Sequence, residues 1–304
     1  MSPKPSLELS SLITEQRNTN SIHIDELSTL EVLKIINQED QKVAVAVEKV
    51  LPKIKEAVDF VYSSLLNGGR LFYVGAGSSG RLAILDASEC PPTFMVPPQQ
   101  VQAVMAGGIR AVTEALEGSE DSESCGASDL KERQLTKEDV VIGITASGRT
   151  PYPIGALKYA QQIGCKTISL TCNPNSAISE WADCKIEVIV GPEVLTGSTR
   201  MKSGTAHKMV LNMISTTVMV KLGKIYENLM VDVHASNFKL RERAKRIVME
   251  ITGVSIEQAG EVLEKTGHKV KPALVMIMAS VSHEQAIAAL HQHKGNVRLA
   301  INGT

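Results

Sequence analysis

The sequence predicts an α/β fold built on a parallel sheet, followed by a small C-terminal helical domain, on the strength of three observations. Short apolar runs alternate with helical patterns between residue 39 and about residue 238, as they do where strands are joined by crossover helices. One of these units, Arg70 to Pro92 (RLFYVGAGSSGRLAILDASECPP), reads as a strand, a turn of small residues sized for a phosphate, and a helix. From about Leu240 onward the strand-like runs stop and short helices take over. The expected division is an N-terminal extension over 1–38, the α/β domain over 39–238 and the helical domain over 239–304.

In chain order, the extension is polar apart from a short helical stretch at Leu30 to Ile36. From Glu39 to Leu66, Val43, Val47, Val50, Leu51, Ile54, Val58, Val61 and Leu65 recur at steps of three and four, a helical period that Pro52 bends or divides. Asn67-Gly68-Gly69 ends it. Leu71 to Val74 is the first strand, Gly75 to Gly80 the turn, and Arg81 to Ala87 the start of a helix. Val101 to Ala106 is a second strand, Ala111 to Leu116 a helix ended by Gly118, and SEDSESCGASD an acidic loop. Three more strands follow at Val140 to Ala146, Thr167 to Cys172 and Ile186 to Val190, separated by a helix over Pro151 to Ile163 and a weaker segment at Ala177 to Ala182. A long helix then carries Ala206, Met209, Val210, Met213, Thr217 and Val220 as a core or subunit-contact stripe, ending at Lys221 and Gly223. In the last domain Val254-Ser255, Glu257-Gln258-Ala259, Leu263, Val270 and Ala273 recur 27 positions later as Val281-Ser282, Glu284-Gln285-Ala286, Leu290, Val297 and Ala300. Ser255 with Gln258, and Ser282 with Gln285, fit capping boxes, so the repeat reads as paired helical hairpins.

Composition narrows the function classes. A net charge of -1 over 304 residues argues against a nucleic-acid groove. The five cysteines include no C-x-x-C pair, which points to buried thiols in a reducing compartment and to no zinc site. MSPKPSLELS lacks the features of a signal peptide, and no apolar run approaches the ~20 residues of a membrane span, so a cytoplasmic location is expected.

Gly75, Gly77 and Gly80 fit the dinucleotide spacing G-x-G-x-x-G, but Val101 to Ala106 ends in Gly107-Gly108 where a nicotinamide site needs a carboxylate. A smaller phosphorylated ligand fits better. Three loops offer hydroxyls and amides to it: Ser78 and Ser79 in the first, Ser147 and Thr150 with Arg149 in the second, and Ser198 with Arg200 and Lys202 in the third. Candidate proton-transfer groups are Glu89, just past the first helix, its rival Asp86, which could instead cap or pair with Arg81, and the acidic patch Glu114, Glu117, Glu120, Asp121 and Glu123. Spacing alone leaves that choice open. His23, His207 and His234 are scattered, and no H-E-x-x-H pattern exists.

GAGSSGR and ITASGRT resemble the sugar isomerase domain, which implies a flavodoxin-like sheet that binds phosphorylated sugars. LDASECPPTF, EGSED, TGSTRMKSGTAHKMVLNM and the N-terminal TEQRNTNSIHIDELSTLEVLKIINQED resemble the bacterial N-acetylmuramic acid 6-phosphate etherase family over nearly the whole chain. That resemblance implies cleavage of the lactyl ether of N-acetylmuramic acid 6-phosphate by elimination and then hydration, in cell-wall sugar recycling. It further implies Glu89 as the acid that protonates the departing lactate, Glu120 as the base at carbon 2, no metal or nicotinamide, and a homodimer with its sites near the subunit contact. Ser78, Ser79, Ser147 and Thr150 are the expected phosphate ligands, with Ser198 and Lys202 behind them. A ketose-aldose isomerase and a non-catalytic sugar-phosphate sensor are the competing readings, and neither releases lactate.

Overall fold

The computed structural model describes residues 12–116, 118–233 and 238–304. Glu117, His234 and the first eleven residues of the expected extension lie outside them. The chain divides into two compact units, one holding the residues up to Ser88 together with Pro98–Ser215, the other Glu89–Pro97 and Thr216–Thr304.

The first unit opens with α1 (Thr29–Glu48), started by a capping box in which Ser28 N–H donates to Glu31 at 2.9 Å. The helix runs unbroken through position 38, so the short stretch at Leu30 to Ile36 and the pattern from Glu39 are one element. Pro52 does divide the longer helical pattern, as the second residue of α2 (Leu51–Leu66). The sheet consists of β1 (Leu71–Gly75), β2 (Val101–Met105), β3 (Val140–Ile144), β4 (Lys166–Thr171) and β5 (Cys184–Glu187). All neighbours are parallel, in the order β2-β1-β3-β4-β5. This is the flavodoxin-like order, and β1 and β3 flank the point where it reverses. Every residue of β1 and β3 is buried, as a sheet covered on both faces requires.

Three helical expectations need correction. The first helix, α3 (Gly77–Phe94), starts at Gly77 and not at Arg81, and it continues through Pro91 and Pro92, so Glu89 lies inside the helix and not past it. The prolines remove two helical amide donors, yet Met95 N–H still closes on the Pro91 carbonyl at 2.9 Å. The helix expected at Ala111 to Leu116 is the single turn α4 (Arg110–Thr113). Its carbonyls are taken by the Arg81 guanidinium, which donates to Val112 and Ala111 at 2.9 Å each and to Glu114 at 3.0 Å. Arg81 is therefore not paired with Asp86. Third, most of the acidic stretch expected as a loop forms α5 (Glu123–Glu132), begun by Ser122, whose hydroxyl accepts from Cys125 N–H.

The small residues of α5 serve helix packing. A Cβ on Gly126 would lie 2.0 Å from the Tyr152 carbonyl oxygen, and one on Gly155 in α6 (Pro151–Ile163) would lie 2.0 Å from that of Glu123. The two helices thus touch backbone to backbone over Leu130, Leu157 and Ala160 of the core. We expect Gly155→Ala to cost at least the ~1–3 kcal/mol of an overpacked core, read as a lower urea midpoint; an unchanged midpoint would mean the helices can part at no cost.

After the sheet, α7 (Lys202–Lys221) buries Ala206, Val210, Leu211, Ile214, Val218 and Met219. Its core face is rotated from the expected stripe, since Met209 and Met213 are half-buried and Thr217 and Val220 exposed. Four cysteines are buried as expected, whereas Cys125 is exposed.

In the second unit a short hairpin, β6 (Ile225–Tyr226) and β7 (Leu229–Met230), precedes α8 (Phe238–Thr252), α9 (Ile256–Lys265), α10 (Val270–Ala279), α11 (His283–Gln292) and α12 (Val297–Asn302). Both capping boxes form, at Ser255 and Ser282. The repeat buries matching positions: Ala259 and Ala286, Leu263 and Leu290, Val270 and Val297, Ala273 and Ala300. Among the described residues no single helix is long and apolar enough to cross a membrane.

Candidate active site

Ligands of such a sheet bind beyond its carboxyl edge, where strand order reverses. Here the loops after β1 and β3 emerge side by side, since Gly75 pairs with Ile144, and the segment after β2 flanks them, with Ala106 N–H on the Gly75 carbonyl at 3.1 Å. The first loop is short: Ala76 alone separates β1 from α3, and Gly77 takes a left-handed φ of +53°. Ser78 is half-buried and Ser79 buried in the first helical turn, where amides lacking helical partners favour an anion.

The second loop is organised by hydroxyls. Thr145 Oγ1 lies 2.7 Å from Thr150 Oγ1 and 3.3 Å from Ser147 Oγ, and Ser147 Oγ accepts from Arg149 N–H at 3.2 Å. Gly148, at φ +74°, presses against Ser176, where a Cβ would stand 2.2 Å from the hydroxyl. Ser147 and Thr150 are half-buried at the start of α6.

Glu120 joins these two loops. Its carbonyl accepts Tyr152 N–H, in the first turn of α6, at 3.0 Å. Its carboxylate stands 4.0 Å from the place a Cβ would occupy on Gly77. An exposed carboxylate thus faces the start of α3, while its backbone is tied to the first turn of α6. Glu89 is an exposed residue of α3, twelve positions beyond Gly77 and one turn beyond the exposed Leu85. Asp86 is buried and structural, accepting from Tyr73 Oη at 2.8 Å, Asn212 Nδ2 at 2.5 Å and Ser215 Oγ at 3.0 Å.

The third loop is built differently from the other two. The start of α7 is already capped by Glu193, fully buried, whose carboxylate accepts Lys202 N–H and Ser203 N–H at 2.9 Å each. The Lys202 ammonium, 1 % exposed, lies 2.6 Å from Glu39 of α1, which also accepts from Lys42 and Asn20. Burial pushes the Glu39 carboxyl up, but the bonds from Lys202, Lys42 and Asn20 more than offset this and hold it at about 2. Lys202 therefore presents no exposed cation to a phosphate, and its charge is matched inside the protein. Ser198 is half-buried in the turn before it. A pairing across 163 positions leaves no signal in local sequence.

His207, one of the scattered histidines with no sequence pattern around it, lies buried on α7, with Nδ1 3.3 Å from Ser79 Oγ and Nε2 3.6 Å from Cys172 Sγ. Burial lowers its pKa to about 4 and raises that of the Cys172 thiol to about 12, so the imidazole is neutral and the thiol protonated near pH 7. Among the described residues no group of three His, Cys, Asp or Glu side chains is placed to hold a metal ion.

The glucokinase regulatory protein N-terminal SIS domain model matches residues 42–161, and the SIS domain model matches residues 123–217. The N-acetylmuramic acid 6-phosphate etherase of Bacillus subtilis is 57% identical over 97% of this chain and 97% of its own length. That of Pectobacterium atrosepticum is 55% identical over 98% of each. With relatives this similar over nearly the full length of both chains, the protein belongs to the N-acetylmuramic acid 6-phosphate etherase family.

Proposed function

We propose that the protein cleaves the D-lactyl ether of N-acetylmuramic acid 6-phosphate, giving N-acetylglucosamine 6-phosphate and D-lactate, as a step in recycling cell-wall sugar. The observation that carries the reading is the Glu120 carboxylate facing the start of α3, on a backbone tied to the first turn of α6. A phosphate bound to Ser78, Ser79, Ser147 and Thr150 puts the rest of an open-chain sugar beside that carboxylate, with Ser198 a further hydroxyl. Lys202 in this scheme supports the start of α7 and is not a ligand.

The aldehyde at carbon 1 acidifies the hydrogen on carbon 2. Glu120 removes that proton, the bond from carbon 3 to the ether oxygen breaks, and Glu89 gives its proton to the departing lactate. Water then adds to the unsaturated aldehyde, hydroxyl to carbon 3 and hydrogen to carbon 2. Helix-start amides stabilise the negative charge that develops on the carbonyl oxygen. In ¹⁸O-labelled water the label enters the sugar and lactate leaves unlabelled; labelled lactate, or no lactate at all, would refute this chemistry.

Carbon 2 and the ether oxygen are neighbours, so the two carboxyls must converge on one sugar. We assign the acid to Glu89 of a second copy in a homodimer, since Glu89 and Leu85 lie exposed one turn apart on the same face of α3. Mixing subunits of Glu89→Gln with those of Glu120→Gln is expected to restore about a quarter of wild-type lactate release, because half the two-fold dimers are mixed and each carries one intact site. If the mixture stays inactive, each site draws both glutamates from one chain.

A further inference from the structure

We infer that His207 is a positioning residue that turns the Ser79 hydroxyl proton toward the substrate phosphate; this rests on the phosphate site proposed above. The ring is buried, 1 % exposed, and its two nitrogens face Ser79 Oγ at 3.3 Å and Cys172 Sγ at 3.6 Å. A neutral imidazole has one N–H and one lone pair, so two arrangements are self-consistent. In one, Ser79 donates to Nδ1 and Nε2–H points at sulfur. In the other, the Cys172 thiol donates to Nε2, Nδ1–H donates to Ser79 Oγ, and the serine proton is left to point outward.

A phosphate dianion only accepts hydrogen bonds. Once it takes the Ser79 proton, the serine oxygen has only lone pairs left for the ring, and Nδ1 must be the donor. The thiol completes the relay, being a weak acceptor for an N–H but an adequate donor to an imidazole lone pair. The direction of every bond from Cys172 to the anion is thereby fixed. A serine held in this way meets the phosphate with no rotamer or hydroxyl reorientation left to freeze, which favours binding over turnover.

Asparagine places its amide nitrogen near the Nδ1 position, whereas glutamine reaches toward Nε2. We expect His207→Gln to weaken inorganic phosphate binding about tenfold, the loss of one oriented hydrogen bond to an anion, and to raise KM with little change in kcat. His207→Asn should stay within about threefold of wild type, and Ser79→Ala combined with His207→Gln should be no weaker than Ser79→Ala alone. In the phosphate-saturated wild-type protein, nitrogen NMR should find His207 neutral and protonated on Nδ1, a readout that needs no variant to fold. Equal losses in the two histidine variants, or a proton on Nε2 in the bound state, would overturn the assignment. A wild-type protein that binds phosphate but releases no lactate would sink the etherase reading alone, since neither phosphate affinity nor the tautomer requires turnover.

Discussion

Replacing Glu120 by glutamine is expected to lower lactate release roughly 10²–10⁴-fold, the range associated with losing a positioned base, and to abolish exchange of the carbon 2 hydrogen with deuterated solvent. Stability should not change with it, because the side chain is exposed and the bond from Tyr152 N–H goes to the backbone carbonyl, which the substitution leaves in place. Glu89→Gln should block lactate release while exchange continues, because proton removal precedes loss of the leaving group. Exchange at the wild-type rate in Glu120→Gln would remove this residue from the role of base.

The largest effect on stability is expected at Lys202. Removing one member of a buried ion pair costs up to roughly 3–5 kcal/mol, and with Lys42 and Asn20 still on Glu39 Lys202→Met should approach but not exceed that loss, shifting the urea midpoint well below wild type. A double substitution of Lys202 and Glu39 by methionine should recover much of the loss, since neither charge is then left alone. The same pair sets a pH dependence. Glu39 titrates at about 2 in the folded protein against an ordinary value of 4.5, so its contribution is fully present above pH 4.5 and is lost as pH falls toward 2. That acid-dependent loss should shrink in Lys202→Met; an unchanged urea midpoint at neutral pH would mean the pair is not closed in solution.

How much of the fold is legible in the sequence depends on how local each cause is. Apolar runs locate all five strands of the main sheet within a few residues, because burial on both faces leaves no charged side chain in β1 or β3. The helical hairpins are legible for a similar reason, each starting with a serine and a glutamine three positions apart. α5 is not, because its Gly126 makes sense only against the Tyr152 backbone, and Gly155 only against that of Glu123. Nor is the helical setting of Glu89, since Pro91 and Pro92 argue for a stop that the backbone does not make. The choice among acidic residues needs more than spacing: the family resemblance points to Glu120, and the fold adds its tether to α6 and its place over Gly77. His207, Glu193 and Lys202 escape a reading of the sequence because their partners are brought near only by the fold.

The grip of Arg81 on Ala111, Val112 and Glu114 bears on how quickly the pocket can be ready. One guanidinium rivets the strand-exit segment that leads to Glu120 onto the same helix whose first turn we propose as part of the phosphate site. Both walls therefore travel as a unit, and the entropy of arranging that flank is surrendered during folding, before any sugar arrives. A sugar phosphate bound as proposed would meet a flank already set.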